Sequence, residues 1–146
     1  MLYSTLSSLL FAAIASGAAI SVPEGTLESK RDGFVGCYNV HNNPDWMKKS
    51  EFTRGIDTIC DGWRNIVLTP GQVLSRSLPG FVLEDNRDAF FVGSYRNTGA
   101  FDHTFDYDYC RQKMGTIRES CSGAHDDTYG GEWHDTVYVT ADTNAA

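Results

Sequence analysis

The sequence predicts an α+β domain, in which an antiparallel β-sheet carries two helices on one face and two disulfides join the elements. Two segments have helical periodicity, and the segments around them are rich in residues that favour strands. Strand, helix, several strands, helix and strand in this order are typical of an α+β fold. All four cysteines lie within the segment that holds these predicted helices and strands, at Cys37, Cys60, Cys110 and Cys121.

The first 31 residues have the features of a secretory leader followed by a pro-segment. The apolar run over 9–15 precedes small residues and is shorter than the roughly 20 residues that span a bilayer. The polar stretch after it ends in Lys30-Arg31, which resembles a processing site of fungal secreted precursors. We therefore expect a signal peptide over 1–19, a pro-segment over 20–31 and a single extracellular domain over 32–146.

The net charge and the cysteines indicate which ligands and which covalent bonds to expect. The chain has a net charge of −7, and an acidic domain without a basic patch is a poor partner for nucleic acid. An even number of cysteines in a small secreted chain predicts disulfides, and their spacing lacks the close pairs of a zinc module. We also expect no membrane insertion, no cofactor and a monomeric protein.

The first helix is predicted from an apolar stripe. Asn43-Pro44 or Ser50 is expected to open this helix, and Gly62 to close it in a left-handed cap. Because Trp63 continues the stripe, we expect it in the core. The stripe recurs at offsets of 4, 7, 8 and 11 and consists of Phe52, Ile56, Ile59, Cys60 and Trp63.

The second helix is predicted from Asp106 or Asp108 as N-cap to an end near Gly123. Both predicted helices hold an interior glycine, Gly55 and Gly115, and each glycine costs on the order of 1 kcal/mol against alanine. Tertiary packing and disulfides must therefore stabilise both helices. The apolar stripe of the second helix consists of Cys110, Met114, Ile117 and Cys121.

The second helix restricts the disulfide pairing. Cys110 and Cys121 lie about 16 Å apart along a helix, whereas the Cα atoms of a disulfide lie within roughly 7 Å. These two cysteines are not expected to pair with each other. We favour Cys37 with Cys121 and Cys60 with Cys110, because antiparallel helices bring the end of one to the start of the next. The crossed pairing stays open.

Strands are predicted between and around the helices. The stretch over 95–101 has the composition of a hairpin loop between two of them. The predicted strands cover 34–40, 65–68, 81–83, 89–95, 101–105 and 133–140.

Several motifs together carry a family resemblance. They are the helical segment over 52–60, Leu68-Thr69-Pro70-Gly71, the segment over 110–121, the Gly130-Gly131 pair and the closing segment over 138–144. This pattern resembles small secreted cysteine-rich fungal proteins. It is most similar to the family of an ink-cap mushroom glycan-binding protein and, more loosely, to effector-like proteins of plant-associated fungi. The resemblance implies a secreted, non-enzymatic protein that recognises a glycan or another host or cell-surface molecule.

Five residues are candidates for binding a ligand. A sugar ring stacks on an aromatic face while carboxylate, amide or backbone groups bond to its hydroxyls. Trp46 follows Asn43 and Asp45 in a predicted loop, and Tyr129 and Trp133 lie in the polar stretch over 125–135. The alternative for both tryptophans is packing, with Trp133 in the core and Trp46 as a cap of the first helix.

The alternative function is that of a small secreted ribonuclease. In order along the chain, Glu84, Arg96 and His103 loosely resemble the base, phosphate clamp and acid of fungal guanine-specific ribonucleases. Their spacing is unspecific and the acidic run beside them would repel RNA, so we expect a protein that is not an enzyme. Acidic and histidine residues at 102–106 and 125–127 lack a recognised ligand spacing, and we expect no obligatory metal.

Overall fold

The computed structural model describes residues 33–38 and 45–146, and they form the α+β architecture that the sequence predicts. The predicted signal peptide, pro-segment and dibasic site lie outside the described residues, and so does Asn43.

Two helices and nine strands make up the described part of the chain. The helices are α1 (Lys49–Gly62) and α2 (Tyr107–Ser120). In residues 33–38 and 45–146, no helix has the length and apolar character needed to cross a membrane. The strands are β1 (Phe34–Cys37), β2 (Met47–Lys48), β3 (Val67–Leu68), β4 (Val73–Val82), β5 (Asp88–Asn97), β6 (His103–Thr104), β7 (Asp127–Thr128), β8 (Gly130–His134) and β9 (Val137–Ala145).

Five of these strands form one antiparallel sheet in the order β1-β8-β9-β5-β4. The two longest pairings, β4 with β5 and β5 with β9, make up one half of the sheet. Two short antiparallel pairs, β2 with β7 and β3 with β6, join the connecting segments. The sheet is therefore built around β9 and β5, and β1 and β4 are its edges.

Both helices pack on the same face of this sheet, as predicted. Gly93 of β5 lies beneath them, since a Cβ there would come within 2.8 Å of Ile59 in α1 and 3.2 Å of Met114 in α2. Phe91 and Tyr95, two residues away on either side of Gly93, are fully buried on this face. The core thus lies between the helix pair and every second residue of the central strands.

The two disulfides follow the favoured pairing. Cys60 of α1 is bonded to Cys110 of α2, and Cys37 of β1 is bonded to Cys121 at the end of α2. One bridge therefore joins the two helices, and the other fastens an edge strand to the second helix.

The helix ends differ in part from the prediction. Asp106 caps α2 as predicted, because its side chain accepts a hydrogen bond of 2.8 Å from the Tyr109 N–H. Ser50 does not open α1, which begins at Lys49. The left-handed cap at Gly62 is wrong, since Gly62 is still helical and the chain leaves the helix at Trp63 with φ −107°. The Trp63 side chain is buried in the core, so the residue that follows the helix is packed against it.

Three strand predictions are also corrected. The predicted strand over 133–140 is two strands, because the turn at Asp135-Thr136 joins β8 to β9 as a hairpin. The predicted hairpin over 95–101 is wrong, since β5 continues to Asn97 and pairs with β4 and β9, whereas β6 pairs with β3. Only the end of β4 was predicted, and this edge strand runs over Val73–Val82.

Candidate functional site

The sheet face that points away from the helices brings together polar and aromatic side chains. Successive residues of a strand point to opposite faces, so every second residue of β5, β8 and β9 turns away from the core. The strand registers place these residues side by side. We call this surface the open face, and its residues include Phe34, Tyr38, Val73, Ser94, Arg96, Glu132, His134, Tyr138, Thr140 and Asp142.

One row of the open face crosses all five strands. His134 pairs with Phe34 on one side and with Tyr138 on the other. Tyr138 pairs in turn with Arg96, and Arg96 pairs with Val73 at the edge of the sheet. Four strand spacings of roughly 4.8 Å give this row a length of about 19 Å. We call it the aromatic row, and it is long enough to contact an extended ligand.

Glu132 ties two members of the aromatic row together. The Tyr138 hydroxyl donates a 2.6 Å hydrogen bond to Glu132 Oε2, and His134 Nε2 lies 3.1 Å from Glu132 Oε1. The bond from Tyr138, and after it the one from His134, holds the pKa of Glu132 below its usual value. The bond between Tyr138 and Glu132 also raises the pKa of Tyr138 to about 12. At neutral pH the site therefore presents a carboxylate beside an intact phenol.

Further polar groups lie beside the aromatic row. The hydroxyls of Ser94 and Thr140 are 2.7 Å apart on neighbouring strands. Asp142 lies two residues after Thr140 on β9, and burial raises the pKa of its carboxyl group. Burial, and then the charge of Asp142, also raises the pKa of Tyr38. These hydroxyl and carboxyl groups can donate or accept hydrogen bonds to ligand hydroxyls.

The predicted ligand residues Trp46 and Tyr129 lie at a different place. Their rings meet edge to face, with centroids 4.7 Å apart and planes at 77°. Both side chains are half-buried, and a Cβ added to Gly123 would come within 2.7 Å of the Trp46 ring. The structure thus brings these two predicted residues together as a small aromatic surface beside the β2–β7 pair.

Asp45, the third predicted residue, uses its carboxylate and its carbonyl in hydrogen bonds within the protein. Its carboxylate accepts a 3.0 Å hydrogen bond from Arg87 Nη2 and a 2.8 Å bond from the Ala145 N–H. Its carbonyl accepts a bond from the Thr143 hydroxyl. Asp45 therefore fastens the segment before β2 to the end of β9.

Trp133, the fourth predicted residue, lies on the helix side of β8. Its indole N–H donates a 2.9 Å hydrogen bond to Asp135, and Lys113 Nζ of α2 lies 4.1 Å from a ring centroid. A Cβ added to Gly33 would overlap the same ring. Contacts from both directions make Trp133 a packing residue between β8 and α2.

The three residues of the ribonuclease alternative do not form one site. Glu84 follows β4, where its N–H bonds to the Trp46 carbonyl. His103 accepts or donates a 2.8 Å hydrogen bond with the hydroxyl of Tyr95, whose ring is buried on the helix side of β5. Arg96 is the next residue of the same strand and lies on the open face, which separates it from both.

The aromatic row was missed by sequence reasoning except for Arg96. Its members come from β1, β4, β5, β8 and β9, and only the strand registers bring them together. The local signal is alternation, since Glu132 and His134 in β8, like Tyr138, Thr140 and Asp142 in β9, are polar at every second position.

Over residues 33–38 and 45–146, no group of three or more His, Cys, Asp or Glu side chains is arranged to hold a metal ion. No protein-family model matches the chain, and no curated protein matches it.

Proposed function

We propose that this protein is a secreted, non-catalytic recognition protein whose open face binds a glycan of a host or cell surface. The observation that carries the proposal is the aromatic row, in which exposed rings and polar groups follow one another across an open sheet. Phe34 is 67% exposed, His134 is exposed and Tyr138 is half-buried.

The chemistry of the open face suits a saccharide. Aromatic faces contact the C–H side of sugar rings, and a few fixed polar groups bond to hydroxyls. The His134 and Tyr138 rings have centroids 4.4 Å apart and so form a continuous patch. Glu132 fixes both rings from one side, which lowers the entropy that binding would cost.

Extracellular location is part of the same proposal. The two disulfides are compatible with an oxidising compartment, and the leader and dibasic pair suggest passage through the secretory pathway. The resemblance to the ink-cap glycan-binding family and to effector-like proteins favours recognition over catalysis.

A glycan array probed with the secreted protein tests the proposal. Tyr138→Ala removes the ring at the middle position of the aromatic row, and we expect its array signals to fall at least roughly tenfold. Tyr138→Phe keeps the ring and should retain most of the binding. Tyr129→Ala is the matched control, because it removes a half-buried tyrosine at the Trp46 surface.

The outcomes decide between the two surfaces, and between non-catalytic glycan recognition and its alternatives. Loss of binding in Tyr129→Ala with full binding in Tyr138→Ala would move the site to Trp46 and Tyr129 and overturn the open face. No glycan signal with the wild-type protein would overturn glycan recognition itself. RNA cleavage by the same preparation would contradict a non-catalytic role.

A further inference from the structure

We infer that the open face takes an acidic saccharide, and that Arg96 binds its anionic group. This inference rests on the proposed function and adds the chemical class of the ligand. The anionic group is a carboxylate or a sulfate, since both present the same kind of acceptor oxygens to a guanidinium.

Arg96 lies within the aromatic row and at one end of its aromatic part. It is exposed, and it stands directly across from Tyr138 on β9 and from Val73 on β4. Directly paired residues of antiparallel strands have Cα atoms about 4.5–5.5 Å apart. A sugar ring on Tyr138 would therefore bring its substituents within reach of the Arg96 side chain.

Arg96 has no carboxylate partner within residues 33–38 and 45–146, although the chain is acidic. Five other arginines of this part each form an ion pair with a carboxylate. A guanidinium that stays without such a partner on an open surface can form a bidentate contact with a ligand anion. The paired arginines are Arg54, Arg64, Arg87, Arg111 and Arg118.

Glu132, the carboxylate beside the aromatic row, does not compete for Arg96. Glu132 accepts from Tyr138 and lies against His134, on the side of Tyr138 away from β5. The surface is thus divided by charge, with the Glu132 carboxylate on β8 and, among the described residues, a guanidinium without an ion pair on β5. This division fits a ligand whose hydroxyls face Glu132 and whose anionic group faces Arg96.

The test is a glycan array of matched pairs, each a neutral oligosaccharide and the same oligosaccharide with one uronic acid, sialic acid or sulfate. We expect the wild-type protein to prefer the acidic members. Arg96→Gln should abolish this preference, with a loss of roughly 10- to 100-fold on the acidic members and a clearly smaller loss on the neutral ones. Arg96→Lys keeps the charge without the planar fork and should retain part of the preference.

Arg76→Gln is the matched control. Arg76 pairs with Gly93 on the helix side of the sheet and forms no ion pair among the described residues. Its substitution should leave the acidic preference unchanged. A thermal melt of all three variants shows that they are folded, which the exposure of Arg96 leads us to expect.

The outcomes separate this inference from the proposed function. Equal binding of acidic and neutral members, or an acidic preference that survives Arg96→Gln, overturns the inference while glycan recognition stands. Absence of every glycan signal overturns both. A single-stranded RNA probe is included, and RNA binding that requires Arg96 in the absence of glycan binding also overturns the inference.

Discussion

Asp135 holds the turn between β8 and β9 against the start of α2. Its carboxylate accepts hydrogen bonds from the Tyr109 hydroxyl, from the Trp133 indole N–H at 2.9 Å and from the Val137 N–H at 2.8 Å. Burial opposes its ionisation, yet these bonds hold the pKa of Asp135 below its usual value. One carboxylate thus links a turn, a strand and a helix.

Asp135→Asn should lower the free energy of unfolding by about 2 kcal/mol, because hydrogen bonds to a charged acceptor contribute about 1.5–3 kcal/mol each. The measurement is urea unfolding at neutral pH. Asp126→Asn is the control, since the exposed Asp126 side chain makes only a 3.8 Å ion pair with Lys49, of a kind that contributes about 0–1 kcal/mol. Equal stability of Asp135→Asn and wild type would show that this carboxylate is not structural.

Two glutamates should change stability with pH in opposite directions. Hydrogen bonds from Tyr138 and His134 lower the pKa of Glu132 below 4.5, so its contribution is present above pH 4.5 and is lost as pH falls through the folded-state pKa. The Asp127 carboxyl, to which only protonated Glu84 can donate a hydrogen bond, and then desolvation raise the pKa of Glu84 above 4.5. The contribution of Glu84 is therefore complete below pH 4.5 and is lost as pH rises through its folded-state pKa.

Unfolding titrations from pH 7 to pH 3 on Glu132→Gln and Glu84→Gln check these signs. Relative to wild type, Glu132→Gln should lose less stability on acidification, and Glu84→Gln should lose more. The same slope in both variants would contradict the assigned hydrogen bonds.

At the scale of the elements, the two interior glycines of the helices have different surroundings. A Cβ on Gly55 of α1 would come within 2.3 Å of the Phe91 ring, so this glycine lets the helix approach the sheet closely. A Cβ on Gly115 of α2 would meet nothing within 4 Å. The sequence assigned the same cost to both, because helical periodicity does not show which helix lies closest to a neighbour.

Gly115→Ala should stabilise the protein by about 0.5–1 kcal/mol, because alanine restricts the unfolded chain and favours the helix. Gly55→Ala should destabilise it, because Phe91 must move in a filled core. Thermal melts of the two variants measure both signs. Stabilisation by Gly55→Ala would mean that α1 does not sit on Phe91 as described.

The disulfides stabilise the arrangement of these elements. Cys60–Cys110 closes a sequence separation of 50 residues and Cys37–Cys121 one of 84. Because loop-closure entropy grows slowly with length, removing either pair as a double alanine variant should cost about 4 kcal/mol. Urea unfolding of the two double variants measures the cost. A variant as stable as wild type would show that its bridge does not constrain the unfolded chain.

At the scale of the whole molecule, the features that the sequence predicted correctly were those with a local pattern along the chain. Helical stripes over α1 and α2 predicted the helices, and the length of α2 between Cys110 and Cys121 narrowed the disulfide pairing. The edge strand β4 was mostly missed, because Pro79, Gly80 and the register shift between Leu78 and Phe81 interrupt any alternation.

The open face could not be predicted because it depends on which strands are neighbours. The paired residues of β9 and β5 are at least 40 positions apart in the chain, and this pairing alone brings Tyr138 to Arg96. No local spacing carries that information. Aromatic residues near acidic ones, as at Trp46 and Trp133, are equally typical of packing, and Trp133 is held on both sides by its neighbours.

The most direct test of recognition at the open face is a map of the amides that respond to a bound glycan. We predict that titrating the 15N-labelled protein with the strongest array ligand shifts the backbone amide signals of Glu132, His134, Tyr138 and Arg96. The amides of α1 and α2, which lie on the other face, should stay unchanged. Shifts confined to Trp46, Tyr129 and their neighbours, or to the helices, would contradict the account.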